Sequence, residues 1–165
     1  MNQDREFVES REEMEELLRN QTIGYLGLSD RGSPYVVPLN YSYLDGRILF
    51  HGSLSGKKMD LLRANPNVCF TVATQQGDVR RHGEGDPCHV DGDSVICYGT
   101  ARVIEDPEER KAVLDEFNRC FDPDAKGISL ASAKKCGAVQ IEIKGMTGRQ
   151  EREQETVYWR HVFRR

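Results

Sequence analysis

No stretch of this sequence is apolar for long enough to cross a membrane as a helix, which takes about 20 residues. No C-x-x-C pair occurs among its five cysteines, Cys69, Cys88, Cys97, Cys120 and Cys136. The first absence argues against a membrane partner. The second, with the odd number, argues against a disulfide framework and leaves free thiols in a reducing compartment, several of them buried as small hydrophobes. A basic excess is missing as well: 23 Lys and Arg stand against 27 Asp and Glu, a formal net charge of −4. That balance argues against nucleic acid as a partner. The charged N-terminus, MNQDREFVESREEMEELL, lacks the apolar core of a signal peptide, so a cytoplasmic chain starting here is expected. Internal repeats and low-complexity tracts are absent too. The 165 residues read as one domain able to bury a core without metal or disulfide staples.

The pattern that is present is mainly that of strands and turns. Ser10 can cap a first helix, with Glu13 completing an S-x-x-E box and Met14, Leu17 and Leu18 forming an apolar stripe. TIGYLGLSD then reads as a strand, DRGS as a turn, and PYVVPLNYSYLDGRILFHG as two strands joined at Asp45-Gly46. Alternation puts Tyr35, Val37, Leu39, Tyr41 and Tyr43 on one face, and Val36, Pro38, Asn40 and Ser42 on the other. Pro38 cannot donate to a ladder, so its strand is expected at an edge or bulged. A short helix over about 56–64 precedes the strand NVCFTVATQ. Residues 76–93, rich in glycine and charge, read as a long loop with strand fragments. SVICYGTARVIED is a further strand; Asp106-Pro107-Glu108-Glu109 opens a helix to about Phe121, and GAVQIEIKGMTGR is a final strand. Residues 151–165 form a tail, an arm or an element completed by a partner chain. Roughly six strands and three peripheral helices predict an antiparallel α+β domain over 1–150, plausibly a barrel.

Chemistry concentrates in LFHGSLSGKKMDLLRANPNVCF, residues 49–70. Lys57 and Lys58 open a helix, where the dipole disfavours cations and free N–H groups welcome an anion. Ser53, Ser55 and Gly56 add two hydroxyls and room for close approach. The segment is not a P-loop, because His51 and Lys58 stand where G-x-x-x-x-G-K-[ST] needs glycine and a hydroxyl. A solvated lysine pair is the plainer alternative.

The order Phe50-His51-Gly52-Ser53, Gly56-Lys57-Lys58, Asn65-Pro66-Asn67-Val68 resembles the phosphate-binding segment of the pyridoxamine 5′-phosphate oxidase-like FMN-binding split-barrel superfamily. GYLGLSDRGSPYVVPLNYSYLDGRILFH resembles its first three strands, and SVICYGTARVIEDPEER its later strand and helix entry. The forms PYVVPLNY, FHG and GKK are most similar to the branch that includes 5-nitroimidazole-resistance proteins. The Arg-x-His-type substrate motif of true oxidases is not found, which argues against vitamin B6 oxidation. Gly56 stands where the family has a serine, leaving Ser53 or Ser55 to replace it. The resemblance implies a split β-barrel with peripheral helices, FMN as cofactor, and a homodimer with two sites at its interface. It implies that Lys57 and Lys58 bind the phosphate and that Val37, Pro38, Leu39 and Asn40 lie along the flavin and ribityl chain. Phe50, His51, Gly52 and Ser53 would contact ribityl and ring, and Ser94 would reach the cofactor from the other subunit. The activity implied is reduction of small molecules such as nitro-aromatics; haem or flavin storage without turnover, or an F420-type cofactor, are the alternatives. His51 is the candidate catalytic group, able to donate a proton or hydrogen-bond substrate; ordering the ribityl chain or ligating haem are its other roles. His82, Cys88, His89 and Cys97 have zinc-ligand chemistry, but H-x5-C-H-x7-C matches no zinc spacing. Arg80 and Arg81 can gate the flavin or meet an anionic substrate.

Overall fold

The computed structural model describes residues 6–80, 88–153 and 155–164. Its elements run β1 (Phe7–Glu9), α1 (Glu12–Asn20), β2 (Ile23–Asp30), β3 (Ser33–Asn40), β4 (Ser42–Leu44), β5 (Arg47–Gly52), α2 (Lys57–Ala64), β6 (Asn67–Arg80), β7 (His89–Val103), α3 (Pro107–Phe121), α4 (Leu130–Ala133), β8 (Gly137–Arg152) and β9 (Glu155–Val162). The strands form one sheet in the order β1-β9-β8-β7-β6-β2-β3, with β4 paired to β5 and β5 to β8. All pairings are antiparallel except β1 with β9. This is the expected α+β architecture, a barrel that does not close.

The opening has a local cause. One edge of β8 pairs with β7 throughout, while its other edge serves β5 over Gly137–Glu142 and β9 over Gly145–Arg152. The register slips between Tyr98 and Gly99, leaving Lys144 as an extra residue on β8. Gly99 is required there, because a Cβ would stand 2.4 Å from the Glu142 carbonyl oxygen.

Hairpin chemistry holds as read. Asp45-Gly46 and Arg31-Gly32 both take positive φ, the signature of tight turns that match strand twist. Pro38 is tolerated because β3 is an edge strand. On α3 the Asp106 carboxylate accepts from the Glu108 and Glu109 N–H groups, with Pro107 in the first turn.

Three expectations are corrected. Ser10 does not cap α1; its N–H donates to the Arg160 carbonyl, and Arg11 precedes the helix without a side-chain cap. Helix α1 is held instead through Glu15, which accepts from Arg11, Arg19 and the Tyr43 hydroxyl. The described part of 76–93 is mostly strand, since β6 continues to Arg80 and β7 begins at His89, while 81–87 lie outside the described residues. The tail carries strand β9, which pairs with β8 along its whole length.

The inner faces of the sheet and α1 enclose the main core, where Tyr41 meets Phe70 edge-on at 4.8 Å. A second core under α3 gathers Leu49, Ile104, Val113, Leu114, Phe117, Ala133 and Ala138. Strand β5 is the wall between them: Ile48 and Phe50 face the first core, Leu49 the second. No helix among the described residues is long and apolar enough to cross a membrane.

Candidate functional site

The site is built where β5 ends and α2 begins. Gly56 precedes the helix with φ 109°, a conformation that strains any L side chain. That geometry accounts for glycine where the family pattern has serine. Gly56 supplies no side-chain cap, and the first intrahelical bond is Asp60 N–H to its carbonyl, 3.0 Å. The first-turn N–H groups are therefore without helical acceptors. Arg63, one helix length on, donates to the Leu54 carbonyl and pairs with Glu105, holding the Ser53–Ser55 turn against α2. Ser53 and Ser55 are exposed, the Ser55 N–H donating to the Ser53 hydroxyl at 3.4 Å.

The two lysines part company. Lys57 turns to β2 and β3, pairing with Asp30 at 2.9 Å and lying 4.7 Å over the Tyr35 ring. The hydrogen bond to Asp30 and its charge hold Lys57 above the ordinary lysine value and Asp30 below the ordinary carboxylate value. Lys58 is half-buried, its ammonium 5.2 Å over the Phe50 ring and beside Gly52, where a Cβ would approach it to 3.4 Å. Burial pushes its pKa down. No carboxylate among the described residues lies within ion-pair distance of it. An ammonium taken partly out of water without a counter-ion is costly unless an anion arrives.

The other expected site residues divide by face. Pro38 and Asn40 are exposed, with the Asn40 amide donating to the Thr22 carbonyl at 3.4 Å. Val37 and Leu39 turn inward onto the core, so their side chains are not available to a ligand on the outer face. Phe50 is 1% exposed and contributes the floor beneath Lys58 rather than a surface. His51 points away from it, to the α3 side, where its ring meets Phe117 edge-on at 5.0 Å and its Nδ1 lies 3.8 Å from Cys136 Sγ. Ser94 pairs with Ala73 on β6. Two strands separate β7 from β3, so Ser94 lies about 14 Å across the sheet from β3.

The outer face between them is apolar. Tyr25, Val36, Ile96 and Tyr98, from β2, β3 and β7, are all exposed there, Val36 at 59%, and alternation with buried neighbours places them on one side. Of the zinc-type constellation, Cys97 is in the core and Cys88 is exposed, and His82 lies outside the described residues. No group of three potential metal ligands occurs among the described residues. Arg80 is committed to Asp91 at 2.6 Å, and Arg81 lies outside the described residues. Sequence reasoning missed Asp30 and Cys136, which reach the site only through pairing distant along the chain.

An open, mostly antiparallel barrel with an anion-ready helix start at the end of β5 defines a split barrel of the flavin-binding kind. The chain belongs to the pyridoxamine 5′-phosphate oxidase family, whose model matches residues 10–150. A candidate 5-nitroimidazole antibiotic resistance protein from Bacteroides thetaiotaomicron is 26% identical, with a TM-score of 0.72 over 86% of this chain and 84% of that one. A FAD-binding protein from Mesorhizobium loti is 27% identical, with a TM-score of 0.63 over 87% and 96%. Solved proteins named for FAD and haem binding or as an F420 reductase share the fold at 18% and 16% identity. An uncharacterised protein of Mycobacterium tuberculosis is 29% identical over 64% of this chain. The chain spans 66% of that relative's length, and 43% of an uncharacterised relative from Rhizobium meliloti.

Proposed function

We propose that this protein is a cytoplasmic, homodimeric FMN-binding flavoprotein that reduces small oxidants such as nitro-aromatics. The observation that carries the reading is Lys58: a half-buried ammonium with no counter-ion among the described residues, at the uncapped start of an eight-residue helix. A phosphate dianion fits this donor set, taking hydrogen bonds from first-turn N–H groups and the charge of Lys58. Lys57 adds a second cation once its hold on Asp30 is shared, and Ser53 or Ser55 adds a hydroxyl. Pro38 and Asn40 flank the ring and ribityl chain; Val37 and Leu39 act through their backbone.

The exposed apolar side chains of β2, β3 and β7, with β6 between β2 and β7, support the dimer, since an exposed apolar patch marks an interaction site. A second copy seated there would bring its own Ser94 toward this chain's β3, a reach that one chain's own Ser94 does not have. Bound FMN supplies the redox chemistry. The chain's own part is to hold the phosphate and exclude water across the paired faces; His51, turned to the α3 side against Phe117, lies outside this cradle.

Absorption spectroscopy of the purified chain tests this. Paired near-ultraviolet and blue bands of oxidised flavin are expected, with the species eluting at twice the chain mass. A Soret band would replace flavin by haem, and a colourless protein that takes up neither FMN nor haem would overturn the reading.

A further inference from the structure

We propose that Cys136 is a modification site, oxidised to a sulfenic acid by a hydroperoxide with His51 as its base. The inference stands on the second core's open edge and does not rest on the flavin reading. Cys136 ends the α4 turn, one residue before Gly137 pairs with Gly52. Its sulfur lies 3.8 Å from His51 Nδ1 and 3.6 Å from both the Gly52 and Gly137 carbonyl oxygens. The two carbonyls and the imidazole are alternative acceptors for the one thiol proton, and the imidazole is the one among them that can take it up. The ring is fixed in turn by its edge contact with Phe117, itself packed on Phe121 at 5.1 Å. Nucleophile and base stand within hydrogen-bonding distance, the pairing that activates a thiol.

The remaining cysteines lack this setting. Cys97 and Cys69 are pushed up by burial, away from the reactive thiolate. Cys120 and Cys88 are exposed, with no histidine in hydrogen-bonding reach among the described residues. Exposure alone therefore does not select Cys136; the base does. His51 is exposed and Cys136 half-buried, so the pair lies toward the surface and not deep in the core.

The step balances without a metal or cofactor. The Cys136 proton passes to His51 Nδ1, and the thiolate attacks one peroxide oxygen. The O–O bond breaks as the S–O bond forms. The other oxygen leaves with the proton from His51 as water. Sulfur is oxidised by two electrons, the peroxide is reduced by two, and the imidazole is restored. The product adds an oxygen beside the Gly52 carbonyl, where β5 turns toward α2.

The test uses the full chain, reduced and then freed of reductant, with one equivalent of hydrogen peroxide and dimedone as the trap. Labelled cysteines are mapped by peptide mass spectrometry over time. Cys136 is expected to label at least about tenfold faster than Cys120, and His51→Gln should bring it down to the Cys120 rate while Cys120 itself is unchanged. The comparison within the unaltered chain needs no variant, and buried Cys97 staying unlabelled in the variant reports an undisturbed fold. Cys136 labelling no faster than Cys120, or a Cys136 rate untouched by His51→Gln, would overturn the assignment.

Discussion

The two ends of β6 treat charge in opposite ways. At its far end, Asp91 is 4% exposed yet saturated, bound to Arg80 at 2.6 Å and to the Glu153 N–H at 3.1 Å. Beside it, Arg152 grips Asp93 through both oxygens, at 2.9 and 2.8 Å. At its near end, next to α2, Lys58 is half out of water with no carboxylate in reach among the described residues, and Lys57 is held by Asp30. A buried charge that has its partners is a structural device, and losing one partner is expensive. A buried charge that lacks them stores an unmet demand, which an anion satisfies. Burial alone would not separate the two ends; the partner count does.

That contrast can be broken from either side. Asp91→Ala is expected to cost about 3 kcal/mol of stability, read by chemical denaturation, with flavin retention per folded molecule unchanged. Lys58→Ala should weaken FMN binding about thirtyfold, about 2 kcal/mol, while the denaturation midpoint holds or rises, as a desolvated cation has been removed. Equal losses of stability and binding in both variants would erase the distinction. A third test probes a saturated charge on α1. Burial alone would raise the Glu15 carboxyl, but hydrogen bonds from Tyr43 and Arg11, and the charges of Arg11 and Arg19, leave it below the ordinary value. Its contribution is thus present above the ordinary glutamate pKa and lost as pH falls through the lower folded value. Glu15→Gln should cost about 1 kcal/mol near neutrality, with the gap to the unaltered chain closing below about pH 4; thermal melts across that range check it. The smallest effect sharpens the near end: Asp30→Asn releases Lys57, and FMN affinity should rise about threefold, measured by titration of the apoprotein.

What could be read beforehand followed from local chemistry. The turns at Asp45-Gly46 and Arg31-Gly32, the Asp106-Pro107 helix start and the alternation of β3 all depend on residues within a few positions of one another, and all are in place. Misreadings came where a distant partner decides. Ser10 had a capping sequence, but its N–H is taken by Arg160. Residues near 76–93 looked like loop because charge, not apolar alternation, fills them; those charges pair across strands, Arg80 with Asp91 and Arg152 with Asp93. The helix start at Lys57 was legible from glycine and lysine spacing. The unequal roles of its lysines were not, because Asp30 reaches Lys57 only through the fold. Nor could spacing show His51 beside Cys136, 85 positions away.

Strand β1 carries one more consequence, in the order of synthesis. Phe7, Val8 and Glu9 lie parallel to Tyr158, Trp159 and Arg160, so β1 is made long before the strand it pairs with. Until β9 emerges, β1 cannot join the sheet, and α1 lacks the bond from Ser10 to Arg160 that anchors its approach. Contacts of such sequence separation form slowly. The sheet's outer edge is therefore completed only after translation of the C-terminal strand, and ribosome-bound chains truncated before Tyr158 should leave the N-terminal segment open to protease.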